Sequence, residues 1–422
     1  MKKLLIFSLV GVLLNASELS ELFKELKKKP VTKIDEELVK ITKLKKQKVI
    51  DELYPSINLF ATYEHYTKYT NLRPVPPPEA NSLIAHKEAL PFAKDIRRVG
   101  ASFDMPLFVK ELFTLQDKLN HIIKSAEYKK NIDIYKNEAI ILASYANLNY
   151  LKELENTLIA REKSLNKTYE DLKIKVDSGR AAPIALDKIE SAIDSIKITL
   201  QKIKTNETLA KEKIASLVGR EPKNITKIEQ INSLNTNSFY TLKPLKEQLN
   251  AAKYDLKAKK EKFLPKLFLS GKYTQNYADE DVMFDKSINT GYGNILLKLV
   301  IPISKSKFTD IEISKRELIQ KNENLIKTQI ELKAKAKSLK NQLKIYKNMQ
   351  KIAHQKVKRQ KELLRYAKTA FDVERITEEE YLRYEDNLLQ AQAELSQIKA
   401  KYWQTLAQLA VIYGNDLERI VK

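Results

Sequence analysis

The sequence predicts a mainly helical chain with a small β part, built twice over: in each half a pair of strands is followed by two very long antiparallel helices. Three observations carry this. Only 8 glycines and 13 prolines occur in 422 residues, so long stretches hold no helix breaker. Apolar residues recur at seven-residue spacing through those stretches. The segment from Gly179 to Gly219 also returns without a gap as Glu374 to Gly414, at an offset of 195.

The repeat is judged by register rather than identity. Arg180 matches Arg375, Glu190 matches Glu385, Leu200 matches Leu395, Ile203-Lys204 matches Ile398-Lys399, and Gly219 matches Gly414. Ile189, Ile193, Ile214 and Leu217 meet Tyr384, Leu388, Leu409 and Ile412. The pattern holds for about eleven helical turns. Upstream, Leu53-Tyr54-Pro55 and Phe263-Leu264-Pro265 each precede an alternating segment, and two further segments run into Pro106 and Pro302. A duplication of this size governs the fold assignment and is used first.

The alternating segments are expected as strands near 56–69, 95–105, 266–277 and 292–301. Ile57, Leu59, Ala61 and Tyr63 alternate with Asn58, Phe60, Thr62 and Glu64, and Ile295, Leu297, Leu299 and Ile301 with Leu296, Lys298 and Val300. Period-two segments of about ten residues suit a membrane barrel; two ordinary soluble hairpins are the alternative. Strand count favours the barrel. Four strands cannot hide their own edges, and in lipid an open edge leaves backbone groups unpaired. Three chains supply twelve strands, so a trimeric 12-stranded β-barrel follows from the membrane reading. The loop in the first half carries Pro74-Val75-Pro76-Pro77-Pro78, read as a stiff exposed connection, and the loop in the second is acidic at Asp279, Glu280 and Asp281.

The long helices are expected at about 110–177 and 305–372, returning over 183–218 and 378–413, with a further helix near 244–262. Leu151, Leu158, Leu165 and Leu172 recur at seven; Leu186, Ile193, Leu200 and Ile214 form one series on the return, and Ile189, Ile196, Ile203, Ala210 and Leu217 the other. These are the a and d positions of a coiled coil. Ser178-Gly179 ends the first long helix, Pro183 suits the first turn of the next, and Thr377 with Glu380 has capping-box spacing.

Lys2 and Lys3, the apolar run Leu4–Leu14 and the small Ala16 have the three-part layout of a signal peptide. The run is too short for an anchor of about 20 residues. Domain boundaries are expected as signal 1–16, N-terminal helices 17–52, first repeat 53–222, linker 223–243 and second repeat 244–422. The absence of cysteine excludes disulfides and thiol catalysis. A net charge of +22 raises nucleic acid as a partner, but the lysines lie along helices, as in Lys333 to Lys344, opposite apolar stripes and without interleaved aromatics. A solvated helix face is the plainer reading.

In their order and repetition these residues resemble the TolC-like outer-membrane efflux family, together with Leu217-Val218-Gly219-Arg220-Glu221-Pro222 after the first helix pair. The resemblance implies a homotrimer with its β-barrel in the outer membrane, continuous with a periplasmic α-helical barrel. It also implies a conduit in tripartite efflux or type I secretion, with helix tips meeting a periplasmic adaptor and, through it, an inner-membrane pump. The tip residues implied for the adaptor are Ser178, Gly179, Ala182, Pro183, Asp372, Glu374 and Thr377. In the family's second tip an acidic residue falls six positions after a Gly, and another three further on. Glu374 stands at the Gly position, so the corresponding residues are Glu380 and Arg383. Arg375 is expected to tie neighbouring helices shut through Asp177 or Asp187, with Arg180 at the matching place of the first tip, while Ala185 stands where a carboxylate is expected. Glu380 has a second reading, as the third residue of a capping box.

No phosphate loop or zinc-protease motif occurs; Gly291-Tyr292-Gly293 lacks the third glycine of a dinucleotide loop and is read as a strand-entry turn, and the four histidines are not at metal-ligand spacing. No catalysis and no cofactor are expected. The competing function is a soluble periplasmic coiled-coil spacer, which leaves the alternating strands without a role.

Overall fold

The computed structural model describes residues 17–373 and 375–422; the expected signal segment and Glu374 lie outside the described residues. In chain order the elements are α1 (Glu18–Leu26), α2 (Pro30–Asp51), β1 (Ser56–Asn71), α3 (Pro77–Ala85), β2 (Phe92–Phe108), α4 (Lys110–Asp177), α5 (Ile184–Val218), α6 (Lys243–Glu261), β3 (Lys266–Ala278), β4 (Ile288–Val300), α7 (Lys305–Asp372) and α8 (Glu378–Tyr413). Contacts divide the described residues into two compact units, each drawn from both repeats: residues 17–39, 126–245, 325–373 and 375–422 form one, and 40–125 with 246–324 the other. Sequential repeats are thus not the compact units, because each long helix begins in one unit and continues in the other.

The second unit centres on an antiparallel sheet in the order β1-β2-β3-β4. Its register puts Ile57 opposite Phe103, Phe103 opposite Gly271, and Gly271 opposite Ile295. Since side chains alternate across a strand, one face carries Leu59, Ala101 and Tyr273 and the other Arg98, Lys272 and Asn276. Two glycines serve close approach: a Cβ on Gly100 would strike the Phe60 ring, and one on Gly271 the Phe103 ring. Each aromatic therefore covers the bare backbone of its cross-strand neighbour. Gly291 and Gly293 lie within β4, not in a turn before it; the strand begins earlier than its apolar run because residues from Ile288 on already pair in register with β3, helped by hydrogen bonds from the Gln275 and Asn276 side chains to Asn289 and Thr290. The proline-rich loop holds a helix rather than only an extended connection. Pro77 opens α3, where its missing N–H costs nothing and its φ is preset.

In the first unit, α4 and α5 pack along the expected seam. Leu151, Leu158, Leu165 and Leu172 bury against Ile189, Ile193, Ile196 and Ile203. Pro30 separates α1 from α2, and α1 buries Leu19, Leu22, Phe23 and Leu26 in a core with Ile141, Leu142, Ile214 and Ala410. Gly219 and Gly414 end their helices in the left-handed conformation, as helix C-termini favour. α4 and α7 each have 68 residues, about 100 Å at 1.5 Å per residue.

Candidate membrane face and helix tips

The sheet carries the first candidate site. Ile57, Leu59 and Tyr63 on β1, Val99 on β2, Tyr273 on β3 and Ile295, Leu297 and Leu299 on β4 are exposed, and the register joins them into one apolar face across all four strands. The opposite face is mixed, with Phe60, Phe268 and Leu296 set among polar side chains. Arg98 donates to Glu64 Oε2 at 3.0 Å and to Asn276 Oδ1 at 2.7 Å, and Ser270 Oγ donates to Asp104 Oδ1 at 2.7 Å. β1 and β4 are the outer strands of the sheet, so each offers one edge without a partner strand among the described residues. An apolar patch of this extent marks a membrane or protein contact.

The loops beside the sheet are fastened by a residue that sequence reasoning took only as part of an acidic loop. Asp281 is buried and accepts from the amides of Leu90, Phe284 and Lys286 at 2.9–3.0 Å. Burial works to raise its pKa, but those amides outweigh it and hold the carboxyl below the usual range. Arg73 on one loop pairs with Glu79 and donates to Thr290 Oγ1 at 2.9 Å.

The helix tips form the second site. At the first, the Gly179 N–H donates to Val176 O at 2.9 Å and the Arg180 N–H to Lys175 O at 2.7 Å, with Gly179 at φ 72°. This is a Schellman stop. At the second, the Arg375 N–H donates to Ala370 O at 2.8 Å, the same bond 195 residues on. Thr377 and Glu380 build the capping box: the Glu380 N–H donates to Thr377 Oγ1 at 3.3 Å and the Thr377 N–H to Glu380 Oε2 at 3.0 Å.

A cleft of about 550 Å³ brings together Arg180, Arg375, Thr377 and Glu380 with Asp171, Lys175 and Phe371. Asp177, Ser178, Gly179, Ala182, Pro183, Asp187, Asp372 and Arg383 are not among its lining residues. The tips are bridged instead by Lys188 and Glu379 at 3.6 Å and by Lys175 Nζ over the Phe371 ring at 5.9 Å, while Phe371 stacks on Tyr381 within the second tip. Glu378 is pushed up by burial, against the nearby Lys175.

Sequence reasoning missed a buried ionic cluster between α4 and α8. The Arg161 side chain is 6% exposed; it pairs with Glu385, reaches Asp386 Oδ1 at 3.0 Å and donates to Leu382 O at 3.3 Å. Ser164 and Tyr381 hydroxyls donate to Glu385 Oε1 at 2.6 and 3.0 Å. The available signal was Glu385, noted only as the repeat partner of Glu190. A second cluster lies in the α1 core. Lys27 stands 3.5 Å from Glu138, 3.2 Å from Asp416 and 2.6 Å from Glu418, while the Leu417 N–H donates to Glu138 Oε2 at 2.9 Å.

Residues 241–415 match the family model described as outer membrane efflux protein. No curated protein matches the chain in sequence. Among solved structures, the chain is similar to the Campylobacter jejuni CmeC outer membrane channel, at 15% identity over 96% of this chain and 86% of that one, TM-score 0.76. It is similar to the Vibrio cholerae outer membrane protein VceC at 15% identity over 94% and 96%, TM-score 0.74. The open state of the Neisseria gonorrhoeae MtrE outer membrane channel matches at 13% identity over 95% and 90%, TM-score 0.78. Residues 241–415 thus carry the sequence pattern of the outer membrane efflux protein family, and nearly the whole chain has the fold of these channels.

Proposed function

We propose that three copies of this chain assemble into a passive outer-membrane exit conduit, closed by twelve strands and extended into the periplasm by the long helices. The conduit is coupled through a periplasmic adaptor to an inner-membrane pump of a tripartite efflux or type I secretion system. The observation that carries this is the four-stranded sheet: an exposed apolar face across all four strands, a mixed face with hydrogen-bonded polar side chains on the other side, and β1 and β4 each lacking an outer neighbour among the described residues. Such a sheet is stable in lipid only when closed, and four strands per chain close at a small even number when three chains join. The exposed apolar residues Ile345, Met349, Ile352, Leu363 and Tyr366 on α7 supply a helical surface for the same assembly.

The family is one of channels rather than enzymes, and the conduit needs only geometry and charge from its residues. Light scattering of the detergent-solubilised protein tests the assembly. Three chains per particle are expected; a well-behaved monomer, or full recovery in the soluble periplasm without detergent, would instead leave the coiled-coil spacer.

A further inference from the structure

Between residues 332 and 371, α7 carries thirteen Lys or Arg against the single Glu362, a balance of +12 out of the chain's +22. The matching stretch of the first repeat, 137–176 on α4, has six Lys or Arg against six carboxylates. Both helices have 68 residues and start and stop 195 positions apart. The helix-pair architecture therefore does not require the charge; the balanced copy builds the same element without it.

The cations are also ordered. α7 packs on α8 through Ala336, Leu339 and Ala353, with Leu343, Tyr346 and Val357 beside them, a seven-residue seam. Lys337, Lys344, Lys351, Lys358 and Arg365 form one row at strict seven-residue spacing on the flank of that seam. Lys333, Lys340, Lys347, Lys361 and Lys368 form a second row of the same period, with His354 in the remaining place. All ten cations are exposed, and none makes an ion pair among the described residues. Of the carboxylates on α8, Glu385 and Asp386 pair with Arg161 of α4, and the ion pair joining α7 to α8 among the described residues is Lys356–Glu394 at 2.8 Å, outside both rows. Neighbouring members stand three or four residues apart, where like charges repel. Lys340 lies over the Tyr413 ring and Arg365 over the Tyr366 ring, but among the described residues no carboxylate pairs with either row to offset this repulsion.

We propose that this flank of α7 is a docking rail for an α-helix of another protein that presents carboxylates at the same heptad spacing. Seven residues of helix rise about 10.5 Å, and a partner helix alongside repeats at that interval, so every turn pair brings a carboxylate to a cation over about 50 Å. A flexible polyanion or a layer of lipid headgroups gains nothing from strict periodicity. Rows of opposite charge outside the apolar seam are how helices choose partner and register. The rail is separate from the tip residues, and its test is independent of the export reading.

The full-length protein in detergent is titrated, by fluorescence anisotropy, with three synthetic probes: a helical peptide bearing glutamates in two heptad rows, a scrambled peptide of identical composition, and poly-glutamate of equal charge. The heptad helix is expected to bind at least about ten-fold more tightly than either control, with affinity falling as salt is raised. Replacing Lys337, Lys344, Lys351, Lys358 and Arg365 by Gln should remove that ten-fold advantage, with circular dichroism and particle mass unchanged. A heptad peptide with lysine in place of glutamate should not bind, a control that needs no protein variant. Equal binding of all three acidic probes would reduce the rail to an unpatterned basic face and overturn the proposal. So would tighter capture by phosphatidylglycerol vesicles than by the heptad helix, or no binding at all.

Discussion

Two buried charges set the energetics at the scale of single residues. Arg161 and Glu385 are almost fully withdrawn from water, where the attraction between them is strong but each alone is costly. Truncating Arg161 to Met strands the Glu385 carboxylate and should destabilise by about 3–5 kcal/mol. The Arg161→Met, Glu385→Leu double variant should recover much of that loss. Thermal melts of the four proteins give the coupling; strictly additive losses would mean that the pair does not act as a unit. Glu138 behaves differently. Burial first, and the charge of Asp416 second, push its pKa up to about 8, against the pull of the Leu417 amide and Lys27. A carboxyl that holds its proton more tightly when folded contributes its full stability below the unfolded value near 4.5. It loses that contribution as pH rises through about 8. The wild-type protein should therefore weaken between pH 5 and 9 by on the order of a few kcal/mol, and Glu138→Gln should flatten that slope. Parallel pH profiles for the two proteins would show that Glu138 stays ionised throughout.

The turns between helices are where sequence and structure speak most plainly to each other at the scale of elements. The heptads of α4 and α5, the Gly179 stop and the Thr377–Glu380 box were all legible, because each depends on neighbours within about seven residues. The Arg161 cluster was not, since its partners are more than 200 positions away and meet only when the supercoil fixes the rotation of α4 against α8. The same limit hid Asp281, whose burial depends on the amide of Leu90 across another loop, and the division into two units that mix the repeats. Helix α3 was masked by the prolines that start it. At the first tip, local geometry makes the adaptor idea testable. A Cβ on Gly179 would meet nothing within 4 Å, and its φ of +72° is the only obstacle to a side chain, at about 1–2 kcal/mol. Gly179→Trp should thus fold and reach the outer membrane in normal amount yet fail to couple to export, if the tip is a contact. Wild-type export by this variant would confine Gly179 to ending a helix.

At the scale of the whole molecule, the proposed trimer would present each tip residue three times and would give Glu380 a meaning that it lacks in one chain. Within the chain its Oε2 accepts from the Thr377 N–H and its own N–H donates to Thr377 Oγ1, which accounts for a glutamate at this place without any channel. In a trimer, three such carboxylates at a narrow entrance would form a ring that attracts cations and opposes anions. Arg383, three residues on, would set three positive charges against it, so the expected selectivity is moderate. Arg180 and Arg375 share the cleft with Glu380 and would weaken the ring further wherever the helices stay closed. Glu380→Gln separates the two roles, because glutamine serves the third position of a capping box as well as glutamate does. The fold and the trimer should survive while one negative charge per chain is lost. Single-channel recordings in asymmetric salt should then show the reversal potential moving toward anions, by the few millivolts to tens of millivolts that a several-fold fall in the cation-to-anion permeability ratio produces. Arg383→Gln should move it the opposite way. Unchanged reversal potentials in both variants would leave Glu380 with the capping role alone and place the constriction elsewhere along the helices.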